Sequence, residues 1–194
     1  MRSLAIAFIF LSSYGFAQSR LAPFIQLNAA SHWIKNDNEP SRHAYSFRSG
    51  LGAGIKYDLN VNQFVSLSFR ARYSQKGYQS RSNTLHYVGL DQVIQISPMP
   101  NTLKFAYLAL GINNDRLVKK RFSDPLIDHN VSGKPIDLSF NKWSVGSIIG
   151  VGYWLDKLTL EAGINFDVAP SLVIKDELEL RNYLWYFNFG FQLF

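Results

Sequence analysis

The residues from Tyr45 to Leu59 alternate between apolar and polar side chains over fifteen positions. Tyr, Phe, Leu, Ala and Ile fill nearly all of the odd positions, and the even positions hold Ser, Arg, Lys, Asp and glycines. Successive side chains of a β-strand point to opposite faces, so this pattern predicts a strand with one apolar and one polar face. A usual soluble strand has about five or six residues, whereas a tilted strand that spans a membrane needs about 9–11. We therefore predict that this strand crosses a bilayer.

Similar alternation, weaker in places, recurs along the chain and predicts eight strands. Connections between them alternate between long and short, so all short turns would lie at one end of an antiparallel barrel and all long loops at the other, as in outer-membrane barrels. Closure would pair every strand edge, which hydrocarbon requires because it offers no water to backbone groups. The fold class predicted is all-β, an eight-stranded antiparallel up-and-down transmembrane β-barrel with both termini in the periplasm. Its strands would cover Leu21–Ile34, Tyr45–Leu59, Gln63–Lys76, Leu85–Ile96, Leu103–Ile112, Phe140–Leu155, Leu158–Val168 and Arg181–Phe194, with the longest loop at Asn113–Ser139.

Residues 1–17 have the pattern of a secretory signal peptide. Arg2 supplies the positive start, Leu4 to Leu11 form a short apolar core, and Gly15-Phe16-Ala17 resembles a cleavage site. The alternative is an N-terminal buried strand. We expect cleavage after Ala17, which leaves residues 18–194 as one outer-membrane β-barrel domain. The sequence contains no cysteine, so it predicts neither a disulfide nor a lipid attached to a cysteine.

Basic residues exceed acidic ones by six, and this excess bears on the partners of the protein. The predicted export of the protein and the spread of the charges over strands and loops argue against nucleic acid as the binding partner. We expect contact with outer-membrane lipid, with lipopolysaccharide as a candidate ligand of a basic strip at the longest loop. The barrel-assembly machinery is the expected partner during insertion, and a protein partner could bind the external loops or the periplasmic turns. The basic strip consists of Arg116, Lys119, Lys120 and Arg121.

Nine charged side chains fall on the polar faces of the predicted strands and are candidates for the lumen. An eight-stranded barrel has an interior that side chains roughly fill, and charges buried there must be paired. The pattern therefore favours a structural plug of ion pairs, with a narrow polar channel or a ligand pocket as the alternative. Glycines on the same faces would make room for long side chains; they are Gly50, Gly52, Gly54, Gly146, Gly150 and Gly152. The charged candidates are Arg48, Lys56, Asp58, Arg70, Arg72, Lys76, Asp91, Glu161 and Asp167.

The four histidines, His32, His43, His86 and His129, all fall near the predicted external rim, and Asp128 adjoins the last of them. An Asp–His pair can activate water, and several histidines can hold a metal. Their spacing matches no ligand motif, however. We expect solvated loop histidines, and we predict no catalytic residue, no metal site and no cofactor.

The segment Tyr73-Ser74-Gln75-Lys76-Gly77 resembles a strand end that is common in the outer-membrane β-barrel domain family of Bacteroidetes, the PorT-like group. A strand of the type Tyr-Leu-Glu-Ile-Pro-Leu follows in that family. Tyr87 to Gln92 is its counterpart here, without the Glu and the Pro. Gly150 to Tyr153 and the aromatic end from Phe189 to Phe194 are also similar to the later strands of the family. The resemblance implies an outer-membrane barrel, and an accessory role in protein export is one function that it suggests.

Three functions are compatible with these features. The favoured one is that of a small integral outer-membrane protein without enzymatic activity, a scaffold whose external loops interact at the cell surface. The alternatives are a narrow pore or small-ligand carrier through the lumen, and the PorT-like accessory of export. The fold itself also has an alternative, because a soluble lipocalin-like barrel alternates with its apolar face inward.

Overall fold

The computed structural model describes residues 19–36, 39–43, 47–77, 84–98, 106–121, 138–170, 172–174 and 178–193. The predicted signal peptide, His129 and Phe194 lie outside these ranges. Within them no helix is long and apolar enough to cross a bilayer. The strands are β1 (Ser19–Asn36), β2 (Glu39–His43), β3 (Arg48–Asn60), β4 (Val65–Gly77), β5 (Thr84–Ile96), β6 (Ala106–Arg121), β7 (Leu138–Phe140), β8 (Trp143–Leu155), β9 (Leu158–Asp167), β10 (Leu172–Ile174) and β11 (Leu178–Phe191).

Eight of these strands close into a barrel in which every neighbouring pair is antiparallel. Their order is β1-β3-β4-β5-β6-β8-β9-β11, and β11 pairs with β1 to complete the circle. The predicted fold class is confirmed. The three remaining strands, β2, β7 and β10, are short and lie in segments predicted as loops or at their edges. They extend the sheet beside β1 and β11 in the order β7-β10-β11-β1-β2.

The pairing register shows how far the strands are staggered. A row of paired residues that starts at Arg20 of β1 passes through each barrel strand in turn and returns to β1 at Ala30, ten residues further on. Stagger of this kind requires the strands to tilt, typically by about 35–45° from the barrel axis. A tilted strand of thirteen residues, such as β3 or β5, then rises about 30 Å, close to the thickness of the hydrocarbon core.

The barrel carries its apolar side chains on the outside. Phe47, Leu51, Ile149 and Phe189 are 58%, 60%, 48% and 41% exposed. The alternative of a soluble barrel with an apolar interior is therefore wrong. Polar and charged side chains outnumber apolar ones in the described interior; the apolar ones are a small cluster near one end of the barrel and, outside it, Ala22, Phe24, Ala30, Leu85, Tyr87 and Leu184. That cluster contains Val93, Tyr107, Ala109, Ile148, Trp154 and Tyr186.

The two ends of the barrel differ in how their strands are connected. The turn end holds Ser19, the last described residues and three connections, of four residues between β3 and β4, nine between β5 and β6 and two between β8 and β9. Here Asn62 Oδ1 accepts hydrogen bonds from the backbone of Phe64 and Val65 at 2.8 and 2.9 Å, and Asp156 adopts a positive φ of 51° in the two-residue turn before Lys157. The loop end, opposite, holds the strands β2, β7 and β10 and the remaining connections, from six residues between β4 and β5 to twenty-one between β6 and β8.

One strand differs from its prediction by more than three residues at one end. The sequence places a strand end near Ile112 and a loop from Asn113, but β6 continues to Arg121. Asn and Asp have weak β-propensity, which is why the segment after Ile112 resembles a loop. Pairing with β5 on one side and, as far as Arg116, with β8 on the other outweighs that local preference.

Candidate functional site: the barrel lumen

The lumen contains most of the charged residues that the sequence singles out. Arg48, at the loop end of β3, is only half-buried and lies at the mouth of the barrel. The other eight candidates are at most 5% exposed, which for side chains on the inner face of a wall means that they fill the lumen. These are Lys56, Asp58, Arg70, Arg72, Lys76, Asp91, Glu161 and Asp167.

Nearer the turn end, charged and aromatic side chains meet in what we call the turn-end cluster: Arg70, Glu161, Tyr107 and Tyr186. Arg70 donates from Nη1 and Nη2 to the two carboxylate oxygens of Glu161 at 2.6 and 2.7 Å. The hydroxyls of Tyr107 and Tyr186 donate to the same carboxylate at 2.8 and 2.9 Å. Bidentate, charge-assisted bonds of this kind are the strongest that side chains make.

A second group, the loop-end cluster, contains Arg72, Lys76, Asp91, Asp115 and Asp167. Arg72 bonds Asp91 at 2.9 Å and Asp115 at 3.0 Å. Lys76 bonds Asp115 at 2.8 Å and Asp167 at 3.3 Å. Each basic side chain therefore bridges carboxylates from different strands, and the cluster ties β4, β5, β6 and β9 together across the lumen.

Polar neighbours complete the loop-end cluster. Asn182 donates to Asp167 Oδ2 at 2.6 Å, and Ser74 accepts a bond from Arg72 at 2.8 Å. The ammonium of Lys76 lies 4.9 Å from the ring centroid of Tyr87, in the range of a cation–π contact.

The remaining pair, Lys56 and Asp58, lies on β3, the strand next to β4 and Arg70. Their charged atoms are 3.3 Å apart, and Asp58 Oδ1 has no hydrogen bond within the described part of the chain. Lys56, Arg70, Glu161, Phe24 and Asn188 surround a small internal cavity. This cavity is too small to hold a group larger than a water molecule.

Sequence reasoning missed Asp115, which accepts bonds from both basic residues of the loop-end cluster. The sequence alone predicts a strand end near Ile112 and therefore places Asp115 in a loop. The signal was present: Tyr107, Ala109, Asn113 and Asp115 continue the inward register of β6 and are all buried. Tyr107 and Tyr186 were missed as well, because an inward tyrosine looks like any other aromatic in an alternating strand.

The inward glycines make room for neutral side chains more than for the charged ones that we expected. A Cβ at Gly152 would collide with the ring of Tyr107, and one at Gly150 would meet the Tyr186 hydroxyl at 2.7 Å. A Cβ at Gly54 would meet the ring of Phe24 at 2.7 Å. The glycines of β8 therefore leave room for the tyrosines of the turn-end cluster, which reach Glu161.

Among the four histidines, His86 is the one whose side chain is described. His86 bonds the Tyr73 hydroxyl through Nδ1 on the outer face near the loop end. His32 and His43 belong to β1 and β2, and His129 lies outside the described ranges. No group of three His, Cys, Asp or Glu residues in the described ranges could hold a metal ion.

The eight antiparallel strands form a closed wall that is apolar outside and polar inside, with short turns at one end. These features define a transmembrane β-barrel of the type found in bacterial outer membranes. No protein-family model and no curated protein sequence matches the chain. Among solved structures, the attachment invasion locus protein Ail of Yersinia pestis aligns with 89% of this chain and 98% of its own, at 11% identity and a TM-score of 0.46.

Two further solved structures are similar in the same sense. Neisserial surface protein A covers 88% of this chain and 97% of its own, with 16% identity and a TM-score of 0.44. The outer membrane protein OprG from Pseudomonas aeruginosa covers 90% and 97%, with 13% identity and a TM-score of 0.40.

Proposed function

We propose that this protein is a small integral outer-membrane protein that acts as a non-enzymatic scaffold. In this proposal the wall anchors the chain in lipid and the external loops form the interaction surface. The observation that carries the proposal is the occupied lumen: among the described residues, buried charged side chains fill it and pair across it. We further propose that residues 1–17 direct export and are cleaved, and that the barrel-assembly machinery inserts residues 18–194.

Conductance in planar bilayers separates this proposal from the pore or small-ligand carrier. The reconstituted parent protein is expected to form no stable channels. A variant with Arg70→Ala, Arg72→Ala and Glu161→Ala removes the middle of the plug and should conduct, which shows that the assay detects an open barrel of this size. Heat-modifiable migration in gels checks that both proteins are folded. Stable channels from the parent would contradict the scaffold and favour the pore.

The basic strip supports a proposal about the lipid partner. β6 continues past Arg116, the last residue that pairs with β8, to Arg121, and Arg116, Lys119, Arg121 and Lys142 are all exposed. The guanidinium of Arg116 lies 5.6 Å from the ring of Trp143, an aromatic at the loop end. Basic side chains beside an interfacial aromatic suit the phosphate groups of lipopolysaccharide.

Binding of labelled lipopolysaccharide to the protein in nanodiscs tests this contact. Lys119→Glu combined with Arg121→Glu should weaken binding at least about tenfold, since each basic residue near an anionic surface contributes about 1 kcal/mol. Lys157→Glu, in the two-residue turn at the opposite end, is the matched control and should leave binding unchanged. Equal binding by all three proteins would refute the proposed ligand.

The PorT-like accessory of protein export is the second candidate, and the resemblance of Tyr73–Gly77 and of the aromatic end of the chain supports it. In this case deletion of the protein should abolish secretion of cargo across the outer membrane. A lipid-face substitution that blocks insertion, such as Ile55→Arg, should do the same. Unchanged secretion after deletion would exclude this function and leave the scaffold.

A further inference from the structure

The lipid-facing side of β5 carries one polar side chain in the middle of an apolar row. Val88 and Leu90 precede Gln92 on this face, Ile94 and Ile96 follow it, and all four are at least 36% exposed. Gln92 is exposed as well. Two apolar side chains therefore separate its amide from either end of the row, which places it near the middle of the membrane.

The neighbours of Gln92 on the adjacent strands are also apolar. Gln92 pairs with Phe69 on β4 and with Ile112 on β6. Within the described part of the chain its side-chain amide makes no hydrogen bond. An amide in hydrocarbon without a partner is costly, so a polar side chain at this depth indicates a partner outside the barrel.

The surface around this amide is concave. A groove of about 390 Å³ lies along the outer face of β4, β5 and β6, lined by Leu67, Phe69, Ile94, Leu110 and Ile112 beside Gln92. Acyl chains could fill such a groove, but they offer no hydrogen bond to the amide. A protein surface with its own hydrogen-bond donor and acceptor can both fill the groove and bond the Gln92 amide.

A second copy of this chain meets these requirements through symmetry. Copies that insert in the same orientation are related by a two-fold axis along the membrane normal, so each residue near the axis meets its own counterpart at the same depth. A carboxamide has a donor and an acceptor, and two carboxamides can bond each other reciprocally. Within lipid, association is driven by close packing and by hydrogen bonds between the partners, because burial of apolar surface gains little there.

We propose that two copies of this protein pair side by side through this face, with the Gln92 amides bonded to each other and Phe69 and Ile112 packed around them. The pairing does not depend on the scaffold function or on the lipid ligand. It requires only the lipid-exposed face of β4, β5 and β6.

Energy transfer between labelled copies in phospholipid vesicles tests the pairing. The chain has no native cysteine, so Lys157→Cys, in the exposed turn between β8 and β9, provides a single labelling site. The parent should show concentration-dependent transfer. Gln92→Leu should weaken association at least tenfold, and because leucine suits a lipid-facing position the variant should still fold. Phe187→Leu, in the middle of β11 four strands away, is the control and should pair like the parent.

Cross-linking locates the interface independently. Leu90→Cys keeps the Gln92 amide and lies next to it on the same face, so oxidation should give a covalent dimer. Phe187→Cys should remain monomeric. A parent that is monomeric at every protein-to-lipid ratio, a Gln92→Leu variant that pairs as well as the parent, or preferential cross-linking at Phe187→Cys would each overturn the proposal.

Discussion

Glu161 is the residue on which the turn-end cluster depends, because it accepts four hydrogen bonds from three side chains. One of the donors, Tyr107, also stacks on Trp154 with ring centroids 4.4 Å apart. Its ring lies directly against the backbone of Gly152, with which it pairs. Because Gly152 has no side chain, the Tyr107 ring can lie in this position. The position of the ring in turn allows the Tyr107 hydroxyl to donate to the Glu161 carboxylate.

This dependence predicts the effect of adding one methyl group. Gly152→Ala should destabilise the barrel by about 1–3 kcal/mol, as overpacking in a filled interior usually does, because the Tyr107 ring must move away from Glu161. Urea unfolding in phospholipid vesicles, followed by tryptophan fluorescence, measures the change.

Gly190→Ala, on β11 two strands away from β8 in the ring, is the matched control. There a Cβ would meet its nearest atoms, in Phe24 and Pro23, at 3.5 Å, which is ordinary contact. The expected change is within about 0.5 kcal/mol. Equal destabilisation by the two substitutions would show that the contact with Tyr107 is not the cause.

At the scale of the element, each strand presents one face to lipid and one to the lumen, so the cost of a charge depends on the face and on depth. Ile55 is 54% exposed in the middle of β3, and Ser49 is exposed on the same face at the loop end of that strand. The two positions differ mainly in how far they lie from the membrane surface.

Ile55→Arg should therefore destabilise insertion by about 2–4 kcal/mol, and Ser49→Arg by about 0–1 kcal/mol. Folding yield and unfolding free energy in vesicles of fixed lipid composition provide the measurement. If the substitution at Ser49 cost as much as the one at Ile55, depth in the membrane would not be what distinguishes them.

At the scale of the whole molecule, the ten-residue stagger decides which side chains meet in the lumen. Arg70 and Glu161 are 91 residues apart in sequence, as are Lys76 and Asp167. Neither pair lies on neighbouring strands: β4 and β9 are four strands apart in the eight-stranded ring. Their contact across the lumen exists only because the sheet closes with this particular register.

The register can be tested at the seam between β1 and β11, where Ala29 pairs with Trp185 and Ile25 pairs with Phe189. Directly opposite Cβ atoms lie about 4.5–5.5 Å apart. Ala29→Cys with Trp185→Cys should therefore cross-link readily in the folded protein. Ala29→Cys with Phe189→Cys, offset by four residues or about 13 Å along the strand, should not. Efficient cross-linking of the offset pair alone would mean a different stagger.

The sequence predicts some parts of this fold well because the information is local. Alternation in β3, β4 and β8 identifies which side chains share a face, and the unequal connections indicate an up-and-down barrel. The end of β6 was predicted wrongly, since Asn113 to Asp115 have weak strand propensity and their partners on β5 and β8 are distant in sequence. The roles of Asp115, Tyr107 and Tyr186 were missed for related reasons: each depends on what lies across the lumen.

What the sequence by itself determined is therefore the two-faced character of each strand, because a period of two is a property of adjacent residues. Only the tertiary structure decided that the apolar face points outward, that Glu161 bonds Arg70 and two tyrosines, and that the Gln92 amide lies in an apolar row with no hydrogen bond to the described part of the chain. The physical reason is that closure and stagger are properties of the whole ring. No single strand contains the information that brings side chains together from opposite walls.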